Sequence, residues 1–195
     1  MTTNRLRYEL FDPFHDRHIQ HVTDLFRGYL HEEFERTGRD ADGFPVAPYL
    51  RTLLVYAANV PVALCAADPR HKAVELLYVR PEVRRLGLGR HILTWVRGQC
   101  PGQLRVKPPV TPACAALAAS LGIPVAEVTD DERKQRQATS RRFEQLIAER
   151  CRHRKARPPA GKPCRICLQN YVDAMPDRIV GQQVAAMRMV AALPV

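Results

Sequence analysis

Residues Arg84-Arg85-Leu86-Gly87-Leu88-Gly89-Arg90 carry chemistry that can be named from their types alone. Glycines at 87 and 89 let backbone N–H groups approach an anion with no Cβ between. A helix starting there aims its free N–H groups and positive dipole end at the same point. Arg84, Arg85 and Arg90 add charge. A diphosphate suits such a turn, although a bland strand-to-helix turn uses the same letters. The spacing is not the dinucleotide fingerprint GxGxxG, because its third glycine is missing.

A second group is Cys151-x-His153 followed by Cys164-x-x-Cys167. It offers four soft ligands, and zinc accepts three cysteines and a histidine tetrahedrally. The alternative is three unlinked cysteines in a basic tail. A redox pair would need a thioredoxin-like context, which is missing. Zinc would explain how a Pro- and Arg-rich segment with few large apolar residues becomes ordered. Cys65, Cys100 and Cys114 read as packing thiols.

Charge is the third feature. The chain has 195 residues, with 30 Lys and Arg against 20 Asp and Glu, a net +10. Residues 133–157 hold ten basic and two acidic residues, a net +8 that nearly accounts for the excess. Such a sign favours anionic partners. Hydrophobic residues make up 46%, which excludes wholesale disorder. No apolar run approaches the roughly 20 residues that cross a bilayer, so no membrane partner is expected. The first residues, MTTNRLRYELFDPF, hold no apolar signal region, so a cytoplasmic location is expected.

The elements that must position these groups follow from periodicity. Leu6–Phe11 alternates as a strand. Ile19, Val22, Leu25, Phe26, Tyr29, Leu30 and Phe34 form a helical stripe over 16–36. Strands are expected at 52–57 and 60–66, turned by Ala58-Asn59, with Pro61 weakening the second or marking an edge. A loop covers 37–48. A strand at 73–79 leads into the glycine turn and a helix carrying Ile92, Leu93, Trp95 and Val96. Residues 104–106 make a short strand. Thr111-Pro112 opens a helix over 113–121. A surface helix reaches about Cys151 on a stripe of Phe143, Leu146 and Ile147. Residues 157–163 form a loop, and a last helix runs over about 177–192.

The stretch from Glu75 to Leu93 resembles the acetyl-CoA signature of the GNAT superfamily of N-acetyltransferases: a strand, Pro, then R/Q-x-x-G-x-G/A and a helix. Arg84, Gly87 and Gly89 meet it. TPACAALAASLGI at 111–123 resembles the family's later helix, and the likeness covers about two-thirds of the chain. The implied fold is α+β (α/β): a GNAT-like mixed, mostly antiparallel splayed sheet flanked by helices. Residues 1–128 would form that domain. Residues 129–195 would form a basic helical extension with a zinc knuckle.

By that resemblance the sheet splays near Leu77–Val79. The pantetheine arm of acetyl-CoA pairs with the backbone of Leu77, Tyr78 and Val79. Arg84, Arg85, Leu86, Gly87, Leu88, Gly89 and Arg90 hold the pyrophosphate. An amine acceptor attacks the thioester directly. Glu75, on the central strand, is the candidate base; the bland alternative is a strand-end Glu paired with a cation or facing solvent. A backbone N–H near Val79 would polarise the carbonyl. Ala118 stands where the family usually has a Tyr that protonates the leaving thiolate, and Thr111 stands where it often has Asn. Tyr78, Ser120, Cys114 and Tyr171 are candidate substitutes for the missing donor. The acidic face of the first helix (Glu32, Glu33, Glu35) is a candidate site for a cationic acceptor.

The expected function is acetyl transfer to an amine of a small molecule, a protein or a nucleic acid. The expected partners include nucleic acid along 133–157 and a second copy of the chain in a homodimer. The alternative is a catalytically weak scaffold acting as a nucleic-acid or protein adaptor.

Overall fold

A computed structural model describes residues 6–37, 43–100, 102–153 and 164–192. Part of the expected loop at 37–48 and all of the expected loop at 157–163 lie outside them. So do Arg154, Lys155 and Arg157 of the basic segment and the side chains of Arg136 and Phe143.

Five strands form one open sheet in the order β1 (Leu6–Leu10), β2 (Arg51–Ala57), β3 (Val60–Asp68), β4 (Ala73–Val79), β5 (Arg105–Val106). The first three pairings are antiparallel and the last is parallel. This is the mixed, mostly antiparallel α+β architecture expected from the sequence. Ala58 and Asn59 both take positive φ and close the β2–β3 hairpin. The expectation that Pro61 marks an edge is corrected, because β3 lies between β2 and β4. Pro61 is tolerated there because it neighbours a bulge: Ala63 faces Val55 and Pro61 faces Tyr56, leaving Val62 over.

The helices are α1 (Asp16–Thr37), α2 (Leu88–Gln99), α3 (Pro112–Ser120), α4 (Asp130–Arg150) and α5 (Arg165–Ala191). Strand alternation sends side chains to two faces. Leu54, Tyr56, Leu64, Ala66, Leu76 and Tyr78 meet α1 and α5. Leu53, Val55, Ala63, Cys65 and Val74 meet α2 and α3. Buried on both faces, β3 is apolar along most of its length.

The last helix begins at Arg165, not near 177. Pro176 is a local signal against a helix that runs through it. It nonetheless lies inside α5 and is buried, so that packing offsets the lost hydrogen bond. Arg27 reaches Asp177 at 2.9 Å and His31 reaches Asp173 at 2.9 Å, tying α1 to α5. Val172, Val180 and Val184 belong to the same core as α1 and the sheet. α4 starts at Asp130 and ends at Arg150, next to the expected end near Cys151. Thr129 caps it, and its side chain and Glu132 form a reciprocal capping box. No described helix is long and apolar enough to cross a membrane.

Candidate active site

β5 pairs with β4 only at Ala73 and Val74. From Glu75 to Val79 no strand among the described residues covers that side of β4. The strands have therefore parted by Leu77–Val79. Opposite, on β3, Leu76 faces Ala66 and Val74 faces Ala67, so Glu75 is the extra residue of a bulge. A bulge bends its strand and re-aims a side chain. Here it coincides with the end of β5 pairing.

After β4, Pro81–Val83 makes one 3-10 turn and the chain swings into α2. Arg85 and Gly87 both take positive φ, at 63° and 78°. Gly87 is the N-cap of α2 and supplies no side-chain cap. A Cβ added at Gly87 would meet nothing within 4 Å, so the space above the turn is open. Gly89 differs: a Cβ there would stand 3.0 Å from Leu117 on α3. This glycine therefore lets α2 and α3 approach each other, besides facing the turn. Leu88 is buried in the core and Leu86 is exposed.

Arg84 and Arg90 are held in place. Arg84 donates from Nε to the Val79 carbonyl at 2.8 Å and from Nη2 to Glu32 at 2.6 Å. Arg90 donates to the Ser120 hydroxyl at 2.9 Å. Glu32 also accepts from the Tyr78 hydroxyl at 2.8 Å. Burial, reinforced by that bond, pushes the Tyr78 hydroxyl well above the usual tyrosine range. Its ring faces α1, whereas Glu75 lies further back along β4, so the two expected catalytic side chains stand in different surroundings.

Glu75 has both carboxylate oxygens 2.8 Å from Lys107 Nζ. Its side chain is only 9% exposed. The pair forms a wall shared by two clefts. One, of about 170 Å³, is lined by Phe44, Tyr49, Glu75, Lys107 and Pro108. A wider one includes Arg70, Lys72, Arg105 and Lys107. Sequence reasoning missed Lys107 and Tyr49, and it named Glu32 only as part of an acidic helix face. A lone Lys after a two-residue strand carries no signal by itself.

Ala118 is fully buried in α3. Cys114, one turn earlier on α3, packs half-buried against the same cluster, and burial pushes its thiol up. Ser120 is bonded to Arg90, and Tyr171 packs with α5 against the α1 side of the core. Of the four candidate donors, Cys114 and Ser120 share α3 with Ala118, and Cys114 packs into the core between the sheet, α2 and α3.

The third group also assembles. His153 Nδ1 lies 3.3 Å from Cys167 Sγ, 3.5 Å from Cys164 Sγ and 3.9 Å from Cys151 Sγ. Cys151 and Cys164 sulfurs are 3.3 Å apart.

No family model matches the chain, and no curated protein does. Solved structures similar to it are acetyltransferases. One is a possible acetyltransferase from Clostridium difficile 630: 12% identical over 64% of this chain and 93% of that one, TM-score 0.46. Another is an aminoglycoside acetyltransferase from an uncultured soil metagenomic sample: 16% identical over 64% and 95%, TM-score 0.48. A tandem GNAT protein from the clavulanic acid biosynthesis pathway is 22% identical over 60% of this chain and 43% of its own length, TM-score 0.43. At such identities the likeness concerns the fold. The order of elements, the sheet that opens after Val74 and the turn from Arg84 to Gly89 follow the arrangement expected from the sequence.

Proposed function

We propose that the chain transfers an acetyl group from acetyl-CoA to an amine. The observation that carries this reading is the open edge of β4, which leads through one 3-10 turn to the N-terminus of α2, where no side chain caps the helix. Pantetheine amides would pair with the backbone of residues 77–79. The diphosphate would lie over Gly87, with Arg84, Arg85 and Arg90 around it. The acceptor would enter beside Tyr49 and Glu75. Its ammonium gives a proton to Glu75, whose carboxylate Lys107 holds in place. The freed amine attacks the thioester carbon, its nitrogen gives up a second proton to solvent, the C–S bond breaks and the thiolate leaves with its electron pair. A proton from Cys114 or from solvent completes the exchange. We also propose nucleic acid as the partner of the basic segment around α4.

Two observations favour a second reading, a scaffold with weak turnover. Ala118 brings no hydroxyl, and Glu75 is already paired with Lys107.

Calorimetry with coenzyme A tests the cofactor assignment. Gly87→Glu should weaken binding at least about 100-fold, since a carboxylate would face the diphosphate. Gly87→Asn tolerates positive φ without adding charge and should keep most of the affinity. Equal affinity in wild type and Gly87→Glu, or no binding by wild type, overturns the assignment. Acetyl-CoA consumption with a panel of amines then separates enzyme from scaffold: turnover that drops in Glu75→Gln supports the first, and none with any amine supports the second.

A further inference from the structure

Cys151, His153, Cys164 and Cys167 gather at the junction of α4 and α5, and their ligand atoms all lie within 4.8 Å of one another. Ten residues of sequence separate His153 from Cys164, so the cluster is not a local accident of one turn. We infer that these four side chains form a closed zinc site that pins the end of α4 to the start of α5.

Geometry supports the metal. Zinc–sulfur bonds of about 2.3 Å and a zinc–nitrogen bond of about 2.0 Å set the edges of a tetrahedron. Those edges are roughly 3.8 Å between sulfurs and 3.5 Å between sulfur and nitrogen. The three nitrogen–sulfur separations, 3.3, 3.5 and 3.9 Å, bracket that value. All six cysteines of the chain are free thiols.

Local structure supports it too. Cys164 is 1% exposed and is the N-cap of α5. Its sulfur accepts the backbone N–H of Cys167 at 3.4 Å. A thiolate there gains from that N–H and from the positive end of a 27-residue helix. Cys151 is the C-cap of α4. The two pairs of ligands thus come from the end of one helix and the start of the next.

Donor type selects the ion. Three thiolates and one imidazole suit zinc, whereas iron–sulfur clusters are usually held by four cysteines. Binding Zn²⁺ releases three thiol protons and leaves a centre of net charge −1, flanked in sequence by Arg150, Arg152 and Arg165. Four protein ligands fill a tetrahedral shell and leave no position for substrate, so the role is structural.

The need for such a clamp is visible in α4. Most of its described side chains are exposed, including Leu146 at 47%, and its main neighbour is α5. α5 itself is anchored to α1 by its buried valines. Removing the metal should therefore release α4 while α5 stays docked.

Metal analysis of the full chain, purified under reducing conditions without added metal, should find about one zinc per molecule. Cys164→Ser/Cys167→Ser should lose it at least tenfold, and Cys100→Ala, outside the cluster, should keep it. Should the double variant fail to fold, wild type carries the test. After chelation it should be cut by protease within 130–153, and Co²⁺ should restore protection with the spectrum of a tetrahedral thiolate site. No zinc as purified together with no uptake of Zn²⁺ or Co²⁺ overturns the inference. So does a Cys151–Cys164 disulfide in the reduced-purified protein.

Discussion

Asp68 shows how a single side chain prepares the wider cleft. Its carboxylate accepts the backbone N–H groups of Arg70 at 2.8 Å and His71 at 3.2 Å, and it meets His71 Nδ1 at 2.6 Å. The turn so fixed carries Arg70 and Lys72 to the cleft beside Glu75. Burial by itself would push the acid up. The hydrogen bonds from His71 and Arg70 outweigh it and hold the pKa below the ordinary carboxylate value. A pKa depressed by folding contributes stability above the unfolded value of about 3.9, and that stability is lost as pH falls through the folded value. Asp68→Asn should therefore cost about 1–2 kcal/mol at neutral pH. The difference from wild type should narrow as pH drops below about 4. Urea midpoints at several pH values read this directly. A gap constant from neutral to acid pH would show that the carboxylate charge plays no part.

Gly28 makes the corresponding point for a whole helix. Gly in a helix interior costs about 1 kcal/mol relative to Ala. It is retained in α1 where a Cβ would stand 2.7 Å from the Tyr78 hydroxyl and 3.2 Å from its ring carbon. The helix thus gives up propensity so that Tyr78 can reach Glu32, which in turn holds Arg84 of the turn before α2. Gly28→Ala should destabilise by about 1–3 kcal/mol through overpacking. In a Tyr78→Phe background the worst contact is gone, and the cost should shrink by about 1 kcal/mol or more, as a double-mutant cycle would measure. Additive effects would mean the hydroxyl is not what excludes the methyl. None of this was legible from sequence, since the contact spans 50 residues. What was legible came from local periodicity and turn chemistry. The stripe from Ile19 to Phe34, the Ala58-Asn59 hairpin and the strand before Arg84 all announce themselves within a few residues. The α4 start was legible in Thr-Asp-Asp-Glu at 129–132, a capping box overlooked beside the arginines that follow. The α5 start was masked by Pro176, whose tolerance depends on tertiary packing. The base candidate was legible as Glu75, but its Lys107 partner was not, because β5 brings the two together only in three dimensions.

For the whole molecule the open question is what the charge excess meets. At the start of α4 the charges are matched internally: Arg133 bonds Asp130 at 2.9 Å and Lys134 approaches Asp131 at 3.8 Å. Such exposed pairs add little stability, yet they neutralise that end. Toward Cys151 the balance changes, with Arg141, Arg142, Arg150 and Arg152 against Glu144 and Glu149. The net positive region therefore sits at the end of α4 that the proposed zinc site anchors. Like charges this close repel unless a partner screens them. A nucleic-acid backbone would do so and would release counterions, so that log K falls with log salt by about 0.9 per phosphate neutralised. The segment is poor in aromatic residues, so backbone contact rather than base stacking is expected. Fluorescence anisotropy with a labelled duplex over a salt series measures the slope. Replacing Arg141, Arg142 and Arg150 together by alanine should reduce its magnitude by about 2–3 and weaken binding evenly across sequences. Identical slopes for wild type and the triple variant would restrict α4 to a solvated face. The acceptor amine would then be sought on small molecules or proteins, through the cleft beside Tyr49 and Glu75, without help from the basic helix.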